Sequence, residues 1–286
     1  MSFQAWLTPA IAAAAFLAMT LAETLAPLRR RVEPRGVRLG RNLALAGVSY
    51  GFFSLLQTPF VVPIAEWTAR RGVGLAQALP VPPAARVLVA VLVLDYTLWI
   101  WHWANHKVPF LWRFHLVHHV DRDLDASTAL RFHVGEMALS VPVRALQVVV
   151  AGADPLALWL WQAVLFVSIL FHHSNARLPL ALERVLVRVF VTPRMHGIHH
   201  SDRLDETNTN WSSLLSVWDY LHRTIRLDVP QAEIVIGVPA YAAPGDVTLG
   251  RSFAIPFLNP RDDFRAPDGR LLVRGHGPGG AAELRA

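Results

Sequence analysis

The sequence has no cysteine. That excludes disulfides, cysteine-ligated zinc, iron–sulfur clusters and thiolate-bound haem on this chain. Charge is scarce as well. Charged residues make up 17% of the 286, against 53% hydrophobic, a balance tilted away from soluble domains. Lysine is nearly absent, so arginine carries the net charge of +6. The arginines cluster beside apolar segments, which points to anchoring on anionic lipid and not to nucleic acid. No repeat of solenoid period is present. Nor is any flavin, nicotinamide or iron–sulfur motif, so a redox role would need electrons from a partner.

What the chain does have is long apolar runs, ten tryptophans and a positive mean hydropathy. Residues 5–28 carry only Glu23 as a charge, in a run that reaches the ~20 residues needed to cross a bilayer. A cleaved signal peptide is the alternative, opposed by the missing basic leader and by the length. Arg29, Arg30, Arg31, Arg35, Arg38 and Arg41 follow and read as a short basic loop, cytoplasmic by the positive-inside rule. Further spans are expected over 43–65 and 85–101. The apolar stretch 137–171 is too long for one pass and is broken by Gly152, Asp154 and Pro155, which predicts a helical hairpin.

The expected fold is therefore all-α, an integral, multi-pass membrane protein. Counting passes, both histidine-rich regions return to the cytoplasmic face. Three parts are expected: residues 1–82 as N-terminal membrane helices with the basic loop, 83–228 as a histidine-rich catalytic part including the hairpin, and 229–286 as a cytosolic tail. The tail is rich in Pro, Gly and Arg, and 275–280 has a disordered composition.

Most of the 13 histidines crowd into four stretches. His102 and His106 lie one helical turn apart on one face, a spacing that two interfacial histidines would also explain. His115, His118 and His119 converge within one arc of a helix at about 100° per residue. His172 and His173 point about 100° apart, so one of them is expected to face a site, and the sequence does not choose between them. His196, His199 and His200 repeat the His-x-x-His-His spacing on the far side of the hairpin. Two such triplets are hard to explain without a metal, because each buried imidazole needs a partner and like charges would repel.

So many imidazoles exceed the four ligands of a tetrahedral zinc and imply two metals. Imidazole suits zinc, copper, iron or nickel, so a zinc-dependent membrane hydrolase and a metal transporter stay open beside an O₂-activating iron enzyme. Transporters place ionisable groups near the midplane of several spans, whereas these histidines sit at span ends. His133 is a further candidate ligand or a hydrogen-bond donor oriented by Glu136. Arg131 is expected to pair with Glu136 or to meet a polar substrate end. Asp95 lies two turns before His102, and an intramembrane carboxylate is a functional candidate, here as partner of a metal-bound imidazole; a hydrogen bond to Trp or Tyr competes.

The motifs resemble the fatty acid hydroxylase/sterol desaturase superfamily from Asp95 to Thr224. They run from Asp95-Tyr96 and His102/His106 through Trp112-Arg113-Phe114-His115 with His118-His119, then Thr128, Arg131, His133 and Glu136. They end with His173-Ser174-Asn175, Thr192-Pro193-Arg194-Met195-His196 with His199-His200-Ser201, Asn210 and Trp218-Asp219. The resemblance implies about four transmembrane helices with a cytosolic histidine-rich cap holding two iron ions. It further implies O₂ and two electrons from a cytochrome b5-, ferredoxin- or reductase-type donor, used to hydroxylate or desaturate a sterol, fatty acyl or related lipid. The ligands it implies are His102, His106, His115, His118, His119, His173, His196, His199 and His200. His172 and His133 are less firmly placed, and Asp95, Arg131 and Glu136 stand as catalytic candidates. Trp103, Val134, Trp211-Ser212 and His222-Arg223 depart from the family pattern without removing a ligand.

Overall fold

The computed structural model describes residues 3–261, 263–266 and 268–275. Prolines set half of the α-helix starts. Helix α1 (Phe3–Leu25) stops short of Pro27, and α2 (Arg35–Arg71) begins after Pro34 and closes on Gly72 in the left-handed conformation, φ 65°. After the short α3 (Leu75–Ala78), both α4 (Pro83–Lys107) and α5 (Pro109–His119) open on a proline. That residue is suited to the first turn, where its missing N–H costs nothing. Val108 is thus the single break between two histidine-bearing helices.

The apolar stretch 137–171 forms the expected hairpin, α6 (Val134–Ala151) and α7 (Pro155–His173). Gly152 ends α6 with φ 68°, and the Asp154 carboxylate caps α7 by accepting from the Ala157 N–H at 2.7 Å. The turn is packed backbone to backbone against Gly74: a Cβ on Gly74 would lie 2.3 Å from the Gly152 nitrogen. Short helices α8 (Leu180–Leu186), α9 (Pro193–His199), α10 (Leu204–Thr207), α11 (Val217–His222) and α12 (Leu249–Ala254) follow. No strand occurs among the described residues, only isolated bridges. The protein is all-α.

Four helical segments are long and apolar enough to cross a membrane: Arg35–Ala78, Pro83–Lys107, Val134–Ala151 and Pro155–His173. Val61, Leu94, Val148 and Trp161, one from each, share a single buried cluster. The apolar part of α1, Pro9–Leu25, is shorter than these and packs through Phe16 and Met19 beside Leu170 of α7. At 1.5 Å per residue, α2 is about 55 Å long and α4 about 37 Å, both longer than a hydrocarbon core of ~30 Å. Each is therefore longer than one perpendicular crossing requires.

That excess length corrects the expectation of a basic loop. Arg35, Arg38 and Arg41 are the first turns of α2, and Arg38 is 1% exposed. Arg38 is not free for lipid, because it is claimed by carboxylates that follow α5. The expected tail is also largely built in. Val238, Tyr241, Val247, Ile255 and Phe264 form one core with Leu116, Val117 and Val120 around α5. Its prolines and glycines separate short turns that still deliver apolar residues inward. Residues 276–280, read from composition as disordered, lie outside the described residues.

Candidate metal centre

Helix periodicity brings nine imidazoles together and also divides them. His102 and His106 of α4, His115 and His119 of α5, and His199 of α9 form one group. His118 of α5, His173 of α7, His196 of α9 and His200 immediately after it form the other. In each group the ligand nitrogens all lie within 4.8 Å of one another. The sequence reading had each triplet converging as one set of three. Instead, each is split. Residues four apart are only about 40° apart on a helix and stay together, whereas the remaining histidine of each triplet is turned to the opposite group, His118 to the second and His199 to the first. The contribution is reciprocal, two from the α5 triplet and one from the α9 triplet in the first group, one and two in the second. His118 beside His119 and His199 beside His200 hold the two groups side by side.

In the first group the far ring nitrogens are fixed. His102 Nδ1 donates to the Trp211 carbonyl at 2.7 Å, His199 Nδ1 to the Thr209 carbonyl at 2.7 Å, and His115 Nδ1 to Glu136 Oε1 at 2.9 Å. A proton on Nδ1 leaves Nε2 with its lone pair. The Nε2 atoms of His106, His115, His119 and His199 are buried without a hydrogen-bond partner, which is costly unless a cation takes them.

The second group makes the same point by geometry. Nε2 of His173 lies 3.0 Å from Nε2 of both His118 and His196, and Nε2 of His196 lies 3.1 Å from that of His200. His173 Nδ1 already donates to the Ile169 carbonyl at 2.8 Å, so its Nε2 can only accept. Making all three contacts hydrogen bonds would give that one lone pair two donors and the single His196 N–H two acceptors. Ligands about 2.0–2.1 Å from a common metal lie roughly 2.9–3.4 Å apart along the edges of an octahedron or tetrahedron. The observed spacing fits that requirement. The residues fit two imidazole-bound metal ions.

Burial first, then the neighbouring imidazoles, push His118, His119, His196 and His200 well below the ordinary imidazole range. Burial carries His199 down to about 3 against the opposing Thr209 hydrogen bond. Neutral rings are the form that binds metal.

The remaining candidates sit elsewhere. His172 belongs to neither group, although its ring centroid is 4.2 Å from that of His196. His133 caps α6, its Nδ1 accepting from the Gly135 N–H at 2.9 Å, with Nε2 facing the Phe253 carbonyl. Glu136 orients His115 and not His133. Arg131 does not pair with Glu136; fully buried, it donates to the Val117 carbonyl, Asn42 and Ser252. Asp95 accepts from Trp218 Nε1 at 2.7 Å and the Leu215 N–H at 3.2 Å, so it braces α11 and touches no imidazole. Arg29, from the chain's N-terminal part, donates to the Pro193 carbonyl and Gln231 across α9. A Cβ on Gly197 would fall 1.8 Å from its guanidinium, so only glycine leaves room for this clamp.

The residues missed by the sequence reading lie directly after the second histidine stretch. Asp121 accepts from Arg38 Nε at 2.8 Å and Nη2 at 3.0 Å, from Asn42 at 3.0 Å and from Thr128 Oγ1 at 3.0 Å. Asp125 pairs with Arg38 Nη1, and Asp123 accepts from the backbone N–H groups of Val32 and Glu33. An Asp-x-Asp-x-Asp pattern abutting His118-His119 was the available cue.

Residues 87–224 match the sequence model of the fatty acid hydroxylase family. Over this segment, just under half of its length, the chain belongs to the fatty acid hydroxylase/sterol desaturase superfamily. Within it, the chain is similar to the ornithine lipid hydroxylase of Rhizobium tropici, 30% identical over 167 residues, covering 57% of this chain and 49% of the relative. It is 27% identical over 144 residues to cholesterol 25-hydroxylase of Rattus norvegicus, covering 50% of this chain and 47% of that protein. Over 149 residues it is 27% identical to alkylglycerol monooxygenase of Homo sapiens, 49% of this chain and 30% of that one. The chain thus spans about half the length or less of these curated relatives. No solved structure matches it significantly.

For this superfamily member, Glu136 offers a direct test of how the first group is tuned. Partners of metal-bound histidines are worth about 10–100-fold in metal affinity. Glu136→Gln keeps an acceptor for His115 Nδ1 but loses the charge, and Glu136→Ala loses both. Affinity at the first group is expected to fall about tenfold in the former and about a hundredfold in the latter, read by competition with a chelator. Identical release curves for the wild type and both variants would show that His115 needs no such partner.

Proposed function

We propose that the chain is a membrane-embedded di-iron oxygenase that uses O₂ and electrons from an external donor to hydroxylate a lipid. The observation that carries this reading is the division of nine imidazoles, all buried or half-buried, into adjacent groups of five and four at the end of helices long enough to cross a membrane. The similarity to lipid hydroxylases favours hydroxylation over desaturation, and a lipid substrate of sterol, fatty acyl or related type. The external donor would be of the cytochrome b5, ferredoxin or reductase kind. The arginines of residues 29–41 support a cytoplasmic placement of the centre. Within this reading 83–228 is the catalytic part, 1–82 and the hairpin supply the membrane stem, and the segment after 229 packs around α5.

Two bound iron ions would supply O₂ activation. The chain's own work is to hold and orient. His102, His115 and His199 are locked by the Trp211 carbonyl, Glu136 and the Thr209 carbonyl. Asp95 fixes α11 against α4, and Arg131 ties α5 to α2 and α12. The buried setting of the imidazoles excludes water, and apolar helices on the same scaffold let a lipid approach from the bilayer while its reacting carbon is held in place.

Metal analysis with a turnover assay tests the reading. Purified protein is expected to hold about two irons per chain. A host expressing it should gain a lipid heavier by one oxygen atom, lost under anaerobic conditions and with His173→Ala. Zinc without iron, together with lipid turnover that ignores anaerobiosis, would refute the oxygenase reading in favour of a zinc hydrolase.

A further inference from the structure

A continuous chain of aromatic rings leads from the first imidazole group to the surface. The Trp211 ring centroid lies 6.3 Å from that of His106, Trp99 lies 6.1 Å from Trp211, and Tyr96 lies 6.3 Å from Trp99 with nearly parallel planes. His222 closes the stack, 4.1 Å from Trp99 and 5.7 Å from Tyr96, and it is exposed, as are Tyr220 and Leu221 on the same helix. Trp211 and Trp99 are buried, at 3% and 6%.

Their proton partners differ in a graded way. Trp211 Nε1 is buried with no hydrogen-bond partner, and the Lys107 ammonium sits 5.1 Å over its ring. Oxidised Trp211 cannot shed its proton and is disfavoured by that charge, so it remains a strong oxidant. Trp99 Nε1 donates to Asp219 Oδ1 at 3.0 Å, and the Tyr96 hydroxyl is 3.1 Å from His222 Nε2. Each of these rings can give up a proton as it gives up an electron. The order from centre to surface is therefore downhill for an oxidising equivalent. Rings of this kind are oxidised only at high potential, so they suit an oxidant with no substrate to attack, not the routine passage of low-potential electrons.

We propose that Trp211, Trp99, Tyr96 and His222 form a one-electron escape path that carries an oxidising equivalent from the metal centre to the protein surface when no lipid is bound. The protective role rests on the di-iron reading; the conducting path does not. Trp211 gives one electron to the centre and is restored by one electron from Trp99, whose indole proton passes to Asp219. Tyr96 then restores Trp99, which takes its proton back from Asp219, while the phenolic proton moves to His222. A soluble thiol returns one electron to the Tyr96 radical and becomes a thiyl radical, the thiol proton going to solvent and the proton on His222 returning to the phenolate. Two thiyl radicals couple to a disulfide.

The absence of cysteine allows a ruthenium photo-oxidant to be attached at one engineered thiol, Leu221→Cys, in the full metal-loaded protein. With the metal pair reduced, flash oxidation is expected to produce a radical on Trp99 and Tyr96 and then to oxidise the metal pair through Trp211. In Trp99→Phe the radical yield should fall about tenfold or more, and in Trp211→Phe the metal pair should no longer be oxidised, whereas Trp67→Phe, on exposed α2 surface, should change nothing. Equal yields in Trp99→Phe and Trp67→Phe would overturn the path. If the protein holds zinc, the flash-induced radicals persist on the rings, which separates failure of the iron reading from failure of the path. In a second arm, reduced protein meets O₂ without lipid and its oxidation products are mapped by peptide mass spectrometry. They should lie at Tyr96 and Trp99, moving to Trp211 and His106 in Trp99→Phe. A map identical in both proteins, or one confined to the ligand histidines, would overturn the protective role.

Discussion

Replacing His196 by Ala is expected to cost the protein one metal ion, whereas replacing His106 is expected to weaken binding without emptying a site. His196 belongs to the group with only four imidazoles, and its Nε2 lies 3.0 Å from that of His173 and 3.1 Å from that of His200. Removing it leaves His118, His173 and His200, with the middle of the chain of contacts gone. His106 belongs to the group of five, where His102, His115, His119 and His199 remain, still enough for a four-coordinate ion. Since even partners one bond removed from a metal are worth about 10–100-fold, loss of a ligand from the smaller group should lower affinity by more than about a hundredfold. His196→Ala should therefore be purified with about half the wild-type metal and no lipid turnover. His106→Ala should keep most of its metal and release it faster to a chelator. Metal binding is folding free energy, so the thermal midpoint should fall in the same order. Equal metal content in the two variants would mean that the ions do not follow the division into five and four.

Much of this centre was legible from spacing alone, because a helix converts separation by four residues into a shared face. The repeated His-x-x-His-His pattern, the hairpin with its Gly152 and Asp154 breaks, and the all-α membrane architecture each follow from local periodicity or composition. What spacing could not say was which imidazole faces which partner. That depends on how α5 and α9 are docked, so the splitting of both triplets emerged only in three dimensions. Similarly, Glu136 was read beside His133 because they are neighbours in sequence, yet one helical turn carries its carboxylate to His115 on another helix. Asp95 illustrates the opposite case. A carboxylate two turns from a ligand looked functional, but the indole of Trp218, distant in sequence, reaches it first. Among the arginines of residues 29–41, Arg38 misled for a physical reason: basic residues beside apolar spans usually face lipid headgroups, and only long-range pairing shows that this one is buried.

Arg38→Ala is expected to be among the most destabilising single substitutions in this protein. Arg38 is 1% exposed, and its guanidinium bridges Asp121 and Asp125 while also donating to Thr128 Oγ1 and the Asp123 carbonyl. A buried ion pair adds little net stability when intact, but removing one partner strands the other in low dielectric, at about 3–5 kcal/mol. Here two carboxylates would be stranded at once. Arg35, by contrast, is only partly buried, and its partner Glu23 keeps Arg31 and the backbone N–H groups of Ala126 and Asn175, so Arg35→Ala should cost only about 1 kcal/mol. The cluster also predicts a pH dependence. Despite burial, the guanidinium groups of Arg38 and Arg131 hold the Asp121 carboxyl well below the ordinary carboxylate range. A depressed folded-state value means that the unfolded chain binds the proton more readily. The contribution is therefore fully present above the ordinary carboxylate range and is lost as pH falls below it. Thermal unfolding of detergent-solubilised protein should show a large loss for Arg38→Ala at neutral pH. The gap between wild type and Asp121→Asn should narrow as the solution is acidified through the carboxylate range. Because Asp121 is two residues from His119, metal should leave the Arg38 variant in parallel with its loss of stability. A variant that keeps the wild-type unfolding midpoint would show that water reaches these carboxylates, and that α5 is held in place by its apolar contacts alone.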